Sequence, residues 1–426
     1  MSYRRALGAA AVALATVLGV AVAPTAGAAS AQTQNQVQTQ AQTRVPTQAS
    51  THPSGPHLLK PRTPHAAPAA SSANLVDNHG PVQDTPKVYV VYWGWTSDPS
   101  GEQGYLNNFL SSVGGTSWLA TVQQYGGGWQ SGLLAGTWSD SASVPSSPTD
   151  AQIQAEAVRA ANHFGTGTSV NVQVVVATPT GHSTSGFGTQ WCAYHGAVSA
   201  LANTTYTDLP YMTDAGGSCG ANSVSGALDG VSIVEGHEMA ESITDPLINA
   251  WLDSGGSEIG DKCAWQNLSL LNTSNGSYAV QPLWSNAIGG CAQSSSVGPT
   301  GQITSGVSSG LCVDVNQSAR TNGTKVQIWS CNGTGAQRWT VNSDGTLTVL
   351  GRCLDVNQGG TTDGTKVQAW DCNGTGSQQW QNGANGSLVN PQSGKCLDDP
   401  GSTTTAGTQL QIYTCNGTNA QRWAIP

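Results

Sequence analysis

The sequence predicts a multidomain protein: an α/β or α+β domain over residues 86–295, followed by a region over residues 300–426 built from three copies of one unit. Three observations lead there. In the first region apolar, β-branched runs alternate with stretches of helical spacing. In the second, a cysteine motif recurs at Cys312, Cys353 and Cys396, 41 and 43 residues apart. The first 85 residues show neither pattern.

With 426 residues the chain is long enough to bury more than one core. Only 9% of residues are charged while Gly, Ser, Thr, Asn and Gln abound, which suits a globular protein with polar, uncharged surfaces outside the cell. A net charge of −9 argues against nucleic acid and against anionic membranes as partners, because neither attracts an acidic surface.

The opening residues 1–31 read as a signal peptide: Arg4 and Arg5, an apolar run, then small residues for cleavage near Ala28 or Ala31. The paired arginines leave both the Sec and the twin-arginine route open. Residues 32–85 are rich in Gln, Thr, Pro, Ala and Ser, and read as a disordered linker or pro-segment in which His52, His57 and His65 are solvated. The chain is therefore expected to be secreted and monomeric. Ten cysteines fit that compartment. Cys192 is expected to pair with Cys219 and Cys263 with Cys291, while Cys312 and Cys331, Cys353 and Cys372, and Cys396 and Cys415 are each nineteen residues apart. Each such bridge is worth roughly 3 kcal/mol in the chain-entropy model.

Structure is expected from Lys87, where KVYVVYWGW reads as a central strand. Helical spacing follows from Glu102 to Tyr125. Thr149 or Asp150 can cap a helix that stops at Gly165, and VNVQVVVATP from Val170 reads as another buried strand. The helix over Val231–Thr244 then carries His237 and Glu241 one turn apart on a single face, with Glu238 beside them. That is the layout of the H-E-x-x-H zinc helix, with Glu241 in place of the second histidine. Downstream lie Asp245, Glu258 and Asp261. The alternative is a capped polar network with no metal. Of the region's four histidines, His195 is the choice for a further nitrogen ligand, because a disulfide at Cys192 would fix its loop. His163 reads as a helix-end cap and His182 as an ordinary loop residue.

The set VYVVYWG, WCAYHG, GHEMAESITDPLINAW, EIGDKC and QPLWSNAIGGC resembles the secreted EXORDIUM or phosphate-induced family of plants and its bacterial relatives, over roughly Lys87 to Cys291. The helix alone resembles those of zincin-type metallopeptidases. The first resemblance implies a cell-wall-associated role, and the second a zincin-like fold and peptide hydrolysis. On this reading His237 and Glu241 bind zinc, His195, Glu258 or Asp261 complete the site, and Glu238 is the general base. Two other functions stay open: a non-catalytic polysaccharide-binding protein, and a glycoside hydrolase using paired carboxylates. Against the last, Glu238 and Glu241 are helical neighbours with little room between them for a sugar ring.

In residues 300–426 each repeat runs from a G-x-C motif to Q-x-W, ending at Gln337 and Trp339, Gln378 and Trp380, and Gln421 and Trp423. This resembles the ricin-type β-trefoil lectin, a carbohydrate-binding module, and implies an all-β trefoil. Asp314, Asp355 and Asp398 can accept hydrogen bonds from sugar hydroxyls. Trp329, Trp370 and Tyr413 can stack on a pyranose face. By resemblance Gln327, Gln368 and Gln411, together with the Q-x-W glutamines, complete the pockets, and the partners are polysaccharide or glycoprotein glycans. Trp339, Trp380 and Trp423 are expected in the trefoil core. The third repeat departs, with Pro400 where Asn316 and Asn357 stand.

Overall fold

The computed structural model describes residues 57–62, 73–201, 203–295, 298–342 and 344–426. The expected signal peptide and the linker up to residue 56 lie outside them. The described chain begins with β1 (His57–Leu59), β2 (Val76–Asp77), β3 (Lys87–Trp93), α1 (Glu102–Ser112) and β4 (Leu134–Asp140). It continues through α2 (Asp150–Phe164), β5 (Val172–Ala177), β6 (Ala193–Ala197), β7 (Thr205–Leu209) and α3 (Asp229–Thr244). Short pieces close the region: β8 (Trp251–Leu252), β9 (Ser269–Thr273), β10 (Gly276–Val280), β11 (Leu283–Ser285) and β12 (Gly290–Ala292).

A six-stranded mixed sheet, in the order β1-β6-β7-β5-β3-β4, forms the frame. β3 pairs in parallel with β4 and β5, and β5 with β7, whereas β6 and β1 run antiparallel to their neighbours. Such a sheet needs cover on both faces. On one side Val91, Val174 and Val176 pack against Ile153, Ala157 and Ala160 of α2. On the other, Val88, Val90 and Val175 share a core with α1 and α3. α2 starts with a capping box between Thr149 and Gln152 and ends at Gly165, whose φ of 66 closes the helix in the left-handed region. The helical stretch expected from Glu102 to Tyr125 is α1 followed by a 3-10 turn, Leu119–Tyr125. All sixteen residues of α3 are buried, so this helix is a core element and not an amphipathic surface one.

The reading of residues 32–85 as a disordered linker needs correction for its described part. β1 extends the sheet at β6, and β2 pairs with β8. Leu59, Leu75 and Val82 are buried in the main core. Pairing with distant strands supplies the hydrogen bonds and apolar cover that local composition does not show.

The threefold region is all β. Trp339, Trp380 and Trp423 lie in one core, and their indole N–H groups donate to the Val313, Leu354 and Leu397 carbonyls at 2.8, 2.9 and 3.1 Å. All five expected disulfides form, and no described cysteine is free. No helix among the described residues is long and apolar enough to cross a membrane.

The strap after β2 ties the two regions together. Asp77 accepts from Arg320 and Arg352 at 2.7 Å each, and all three side chains are nearly out of solvent. The Arg320 guanidinium also donates to the Gly80 carbonyl, and Arg338 to that of Asp84. Replacing Asp77 with Ala leaves the buried Arg320 guanidinium without its carboxylate, while Arg352 keeps Asp371 at 2.6 Å, a loss of about 3–5 kcal/mol. We expect Asp77→Ala to split thermal unfolding of the mature protein into two transitions by calorimetry; a single, unshifted transition would contradict the strap.

The departure in the third repeat has a structural cost. Asp399 occupies the position of Val315 and Val356, is fully buried, and neither oxygen makes a well-formed hydrogen bond. Burial, reinforced by neighbouring Asp398 and offset in part by the Thr403 amide, pushes its carboxyl up to about 6. Because the folded value is raised, the stabilisation is present in acid and lost as pH rises through 6. Asp399→Val therefore stabilises by on the order of 1–3 kcal/mol near neutrality and by less below pH 4. Melting curves between pH 3 and 8 check this, and a gain independent of pH refutes it.

Candidate functional site

α3 places His237 Nε2 3.1 Å from Glu241 Oε1, as expected for residues one turn apart. β6 lays His195 across the helix. Its Nδ1 is 3.0 Å from Glu238 Oε2 and 3.6 Å from Glu241 Oε2, while Nε2 is 3.7 Å from Glu258 Oε1. The turn before the Cys263–Cys291 bridge supplies Glu258 and Asp261, with Asp261 Oδ1 3.8 Å from His237 Nε2. The expected residues His195, His237, Glu238, Glu241, Glu258 and Asp261 therefore converge. Asp245 does not: it accepts from the Asn249 and Ala250 amides and caps the exit from α3.

One further residue joins them. In the β1–β6 pair His57 lies opposite His195, and its Nδ1 is 2.5 Å from Glu258 Oε2 and 3.6 Å from Asp261 Oδ2. Treating His57 as a solvated histidine is thus corrected. Only the three-residue HLL run could have signalled it, and three residues are too few for a strand pattern to show. Two bridges brace the assembly. Cys192 lies three residues before His195 and donates its backbone amide to the Leu59 carbonyl at 2.8 Å, while Cys263 follows Asp261.

The cluster is short of hydrogen-bond partners. His195 Nε2, His237 Nε2, Glu238 Oε1 and both oxygens of Glu258 make no hydrogen bond although they are buried. Unpaired buried polar atoms are costly, and imidazole and carboxylate atoms that converge without hydrogen bonds are the pattern a cation satisfies by displacing their protons. Three overlapping triads have donor atoms within 4.8 Å of one another: His57, Glu258 and Asp261; His195, Glu238 and Glu241; His237, Glu241 and Asp261. The backbone leaves no slack. A Cβ on Gly260 would lie 2.6 Å from His237 Nδ1, and the Gly260 and Asp261 amides donate to Glu241 Oε1 at 3.1 and 2.9 Å.

Outer groups orient the rings. The His195 Nδ1 contact with Glu238 directs the free Nε2 toward Glu258. Gln281 brings its amide to His237 Nδ1 at 3.0 Å and donates to the Gly260 carbonyl. A metal on His237 Nε2 needs a proton on Nδ1, so Gln281 would then turn its oxygen to the ring.

Electrostatics follow from burial. Burial lowers the His195 imidazole to about 4. It would lower His57 as well, but Glu258 and Asp261 outweigh it and push that ring up to about 12. His237 likewise rises to about 9 through Glu241. Burial lifts the Glu238 carboxyl to about 8 and holds Glu258 and Glu235 well above the usual range. Glu235, one turn before Glu238 and with both oxygens unpartnered, is a buried acid to which sequence reading assigned nothing. The cluster meets solvent only at His57 and Asp261, whose side chains are 17% and 27% exposed. The other two histidines lie apart from it: His163, in the last turn of α2, stacks on Trp138 at 4.2 Å, and His182 Nδ1 lies 2.9 Å from the Pro145 carbonyl.

In the repeats, each aspartate holds two amides. Gln327 and Gln337 donate to Asp314 at 2.9 and 3.1 Å, Gln368 and Gln378 to Asp355 at the same distances, and Gln411 and Gln421 to Asp398 likewise. The Q-x-W glutamines are fully used: each oxygen accepts from the Asn332, Asn373 or Asn416 amide, and each nitrogen also donates to a backbone carbonyl. Gln337, Gln378 and Gln421 therefore brace the loops and do not face a sugar, which corrects their expected role. The aromatic rim is open, with Trp329 41% and Tyr413 40% exposed, while Trp370 is half-buried.

The sequence pattern G-T before each of these strands has a structural use that single-repeat reading missed. Gly407 lies beside Trp329 and Gln327, Gly323 beside Trp370 and Gln368, and Gly364 beside Gln411. All three have φ near 90, and each comes from a different repeat than the residues it faces. Each of these approaches therefore joins two repeats.

This threefold arrangement agrees with a family comparison, in which residues 299–423 match the model of the ricin-type beta-trefoil lectin domain. The C-terminal region is a ricin-type β-trefoil lectin domain. Solved structures similar to the chain include the designed 3-fold symmetric protein ThreeFoil, 28% identical over 29% of this chain and 95% of that one, with a TM-score of 0.28. Another is the agglutinin from Abrus precatorius, 31% identical over 31% of this chain and 49% of that one, TM-score 0.28. A third is the β-trefoil lectin of the Vibrio vulnificus hemolysin/cytolysin with N-acetyl-D-lactosamine bound, 24% identical over 30% of this chain and 94% of that one, TM-score 0.25. No curated protein matches the chain. The lectin domain thus accounts for the repeats, and the histidine–carboxylate cluster belongs to the region before it.

Proposed function

We propose that this is a secreted, glycan-binding protein whose middle region is a zinc-dependent hydrolase acting on peptides. The observation that carries the enzymatic half is the set of buried, unpartnered imidazole and carboxylate atoms converging on α3. The EXORDIUM-like motifs and the zincin-like helix support it from the sequence side. A bound divalent ion would supply Lewis acidity and an acidic water. The chain's own residues supply the rest. His237, Glu241, His195, Glu258 and Asp261 hold the ion, and the Gly260 and Asp261 amides keep Glu241 aimed. Glu238 holds His195 through one oxygen and keeps the other free to take a proton. Substrate would approach from the His57 and Asp261 side, where the cluster meets solvent.

The closure of the cluster favours a second reading, a non-catalytic polysaccharide-binding protein in which the ion is structural, since structural sites are the closed ones. It disfavours the glycoside hydrolase, because Glu238 and Glu241 are buried with no space for a pyranose. Metal analysis after dialysis and hydrolysis of a denatured protein substrate decide between the two main readings. Glu238→Gln should retain the ion and lose hydrolysis by 100-fold or more, the order expected for a general base. A folded wild-type protein that carries no ion, or turnover unchanged in this variant, rejects the enzyme.

The glycan half has its own test. Five disulfides and the lectin domain fit an extracellular setting, and three concavities on one domain give avidity for polymeric glycans. Trp329→Ala and Tyr413→Ala should each weaken retention on immobilised polysaccharides by roughly 3- to 10-fold, about 1 kcal/mol of stacking, without lowering Tm. Equal retention by the double variant across a polysaccharide panel would remove these rims from the binding surface.

A further inference from the structure

We propose that His57 is itself a ligand of the metal, so that β1 is locked into the domain by the ion it helps to hold. The inference rests on the metal reading above. Its basis is the way the donors alternate. Glu258 gives one oxygen to His195 Nε2, the nitrogen that Glu238 leaves free, and the other to His57, while Asp261 gives one to His57 and the other to His237, whose Nε2 also meets Glu241. The donors thus run from His195 Nε2 through Glu258, His57 and Asp261 to His237; without His57 this ring is open, and Glu258 Oε2 and Asp261 Oδ2 lose their imidazole neighbour.

The contacts have the character of shared ligation. His57 Nδ1 lies 2.5 Å from Glu258 Oε2, yet that oxygen makes no hydrogen bond of acceptable geometry. Donor atoms on adjacent positions around an ion with bonds of about 2.1 Å stand roughly 3 Å apart, so spacings between 2.5 and 3.8 Å need only small adjustments. Imidazole and carboxylate together suit zinc and related divalent transition ions.

The position of His57 gives it a second role. β1 is an edge strand of only three residues, held by its ladder to β6, the Cys192 amide on the Leu59 carbonyl, and Arg62 bonds to the Ser218 carbonyl and Ser223 hydroxyl. So short a strand gains little from pairing alone. A metal bond at its first residue fixes it. It follows that the segment from His57 stays with the active domain: proteolytic removal of residues before it keeps the ring whole, whereas removal through residue 85 takes one ligand away.

The test uses the full mature chain loaded with zinc or cobalt(II), as wild type, His57→Ala and His57→Phe. X-ray absorption counts the imidazoles around the ion, competition with a chelating dye gives affinity, and hydrogen exchange follows residues 57–62 with and without chelator. Expected are one imidazole fewer and at least tenfold weaker binding in both variants, together with loss of protection at 57–62 when wild type is stripped. Should the variants misfold, the wild-type exchange experiment decides alone. An unchanged imidazole count, affinity within twofold, or protection that ignores the chelator overturns the role of His57 while leaving the metal site intact. Absence of any bound ion in wild type overturns the metal reading itself, and this inference with it.

Discussion

Bringing three imidazoles and four carboxylates into a space that meets solvent only at His57 and Asp261 is the constraint around which the middle region is built. Each charge taken from solvent costs several kcal/mol unless something in the interior replaces the hydration. Here the replacement is only partial within the protein: amides serve Glu241, His195 serves Glu238, and several donor atoms stay bare. A divalent cation is the simplest occupant that satisfies the remainder. The elements that deliver these groups are correspondingly rigid. α3 is buried from end to end, Gly260 leaves its backbone against the His237 ring, and disulfides stand close in the chain to His195 and Asp261.

The lectin domain solves a different problem with the same economy of parts. Three aspartates, each gripping two glutamine amides, fix three loops, and the indoles behind them close a common core. At the rim the aromatics Trp329 and Trp370 each meet a left-handed glycine from another repeat. The strap through Asp77 and Arg352 then fixes this domain against the region with the histidine–carboxylate cluster.

Much of the candidate site was legible because its signals are local. His237 and Glu241 share a helix face by the 3.6-residue period, Thr149 and Gly165 bracket α2 through capping chemistry, and equal cysteine spacings declared their own pairs. His57 was not legible. A three-residue strand inside a Pro- and Ala-rich stretch has no period, and its partner β6 lies more than 130 residues away in the chain. The Q-x-W glutamines show the converse: the motif identified the repeat correctly, but the amide of Gln337 proved to be saturated by Asp314, Asn332 and Ser330, which no spacing can reveal.

By itself, the sequence determined the two regions, the α/β character of the first, the five bridges and the threefold repeat, because periodicity, capping and cysteine spacing act over a few residues or repeat themselves. Only the tertiary structure decided that β1 completes the sheet and brings His57 to Glu258 and Asp261, that Asp77 fastens the lectin domain, and that Gly407 and Gly323 bring one repeat against the rim aromatic of another. Those arrangements depend on which distant backbones lie side by side. Burial, the quantity that sets the energetics of every charge in the cluster, exists only once they do.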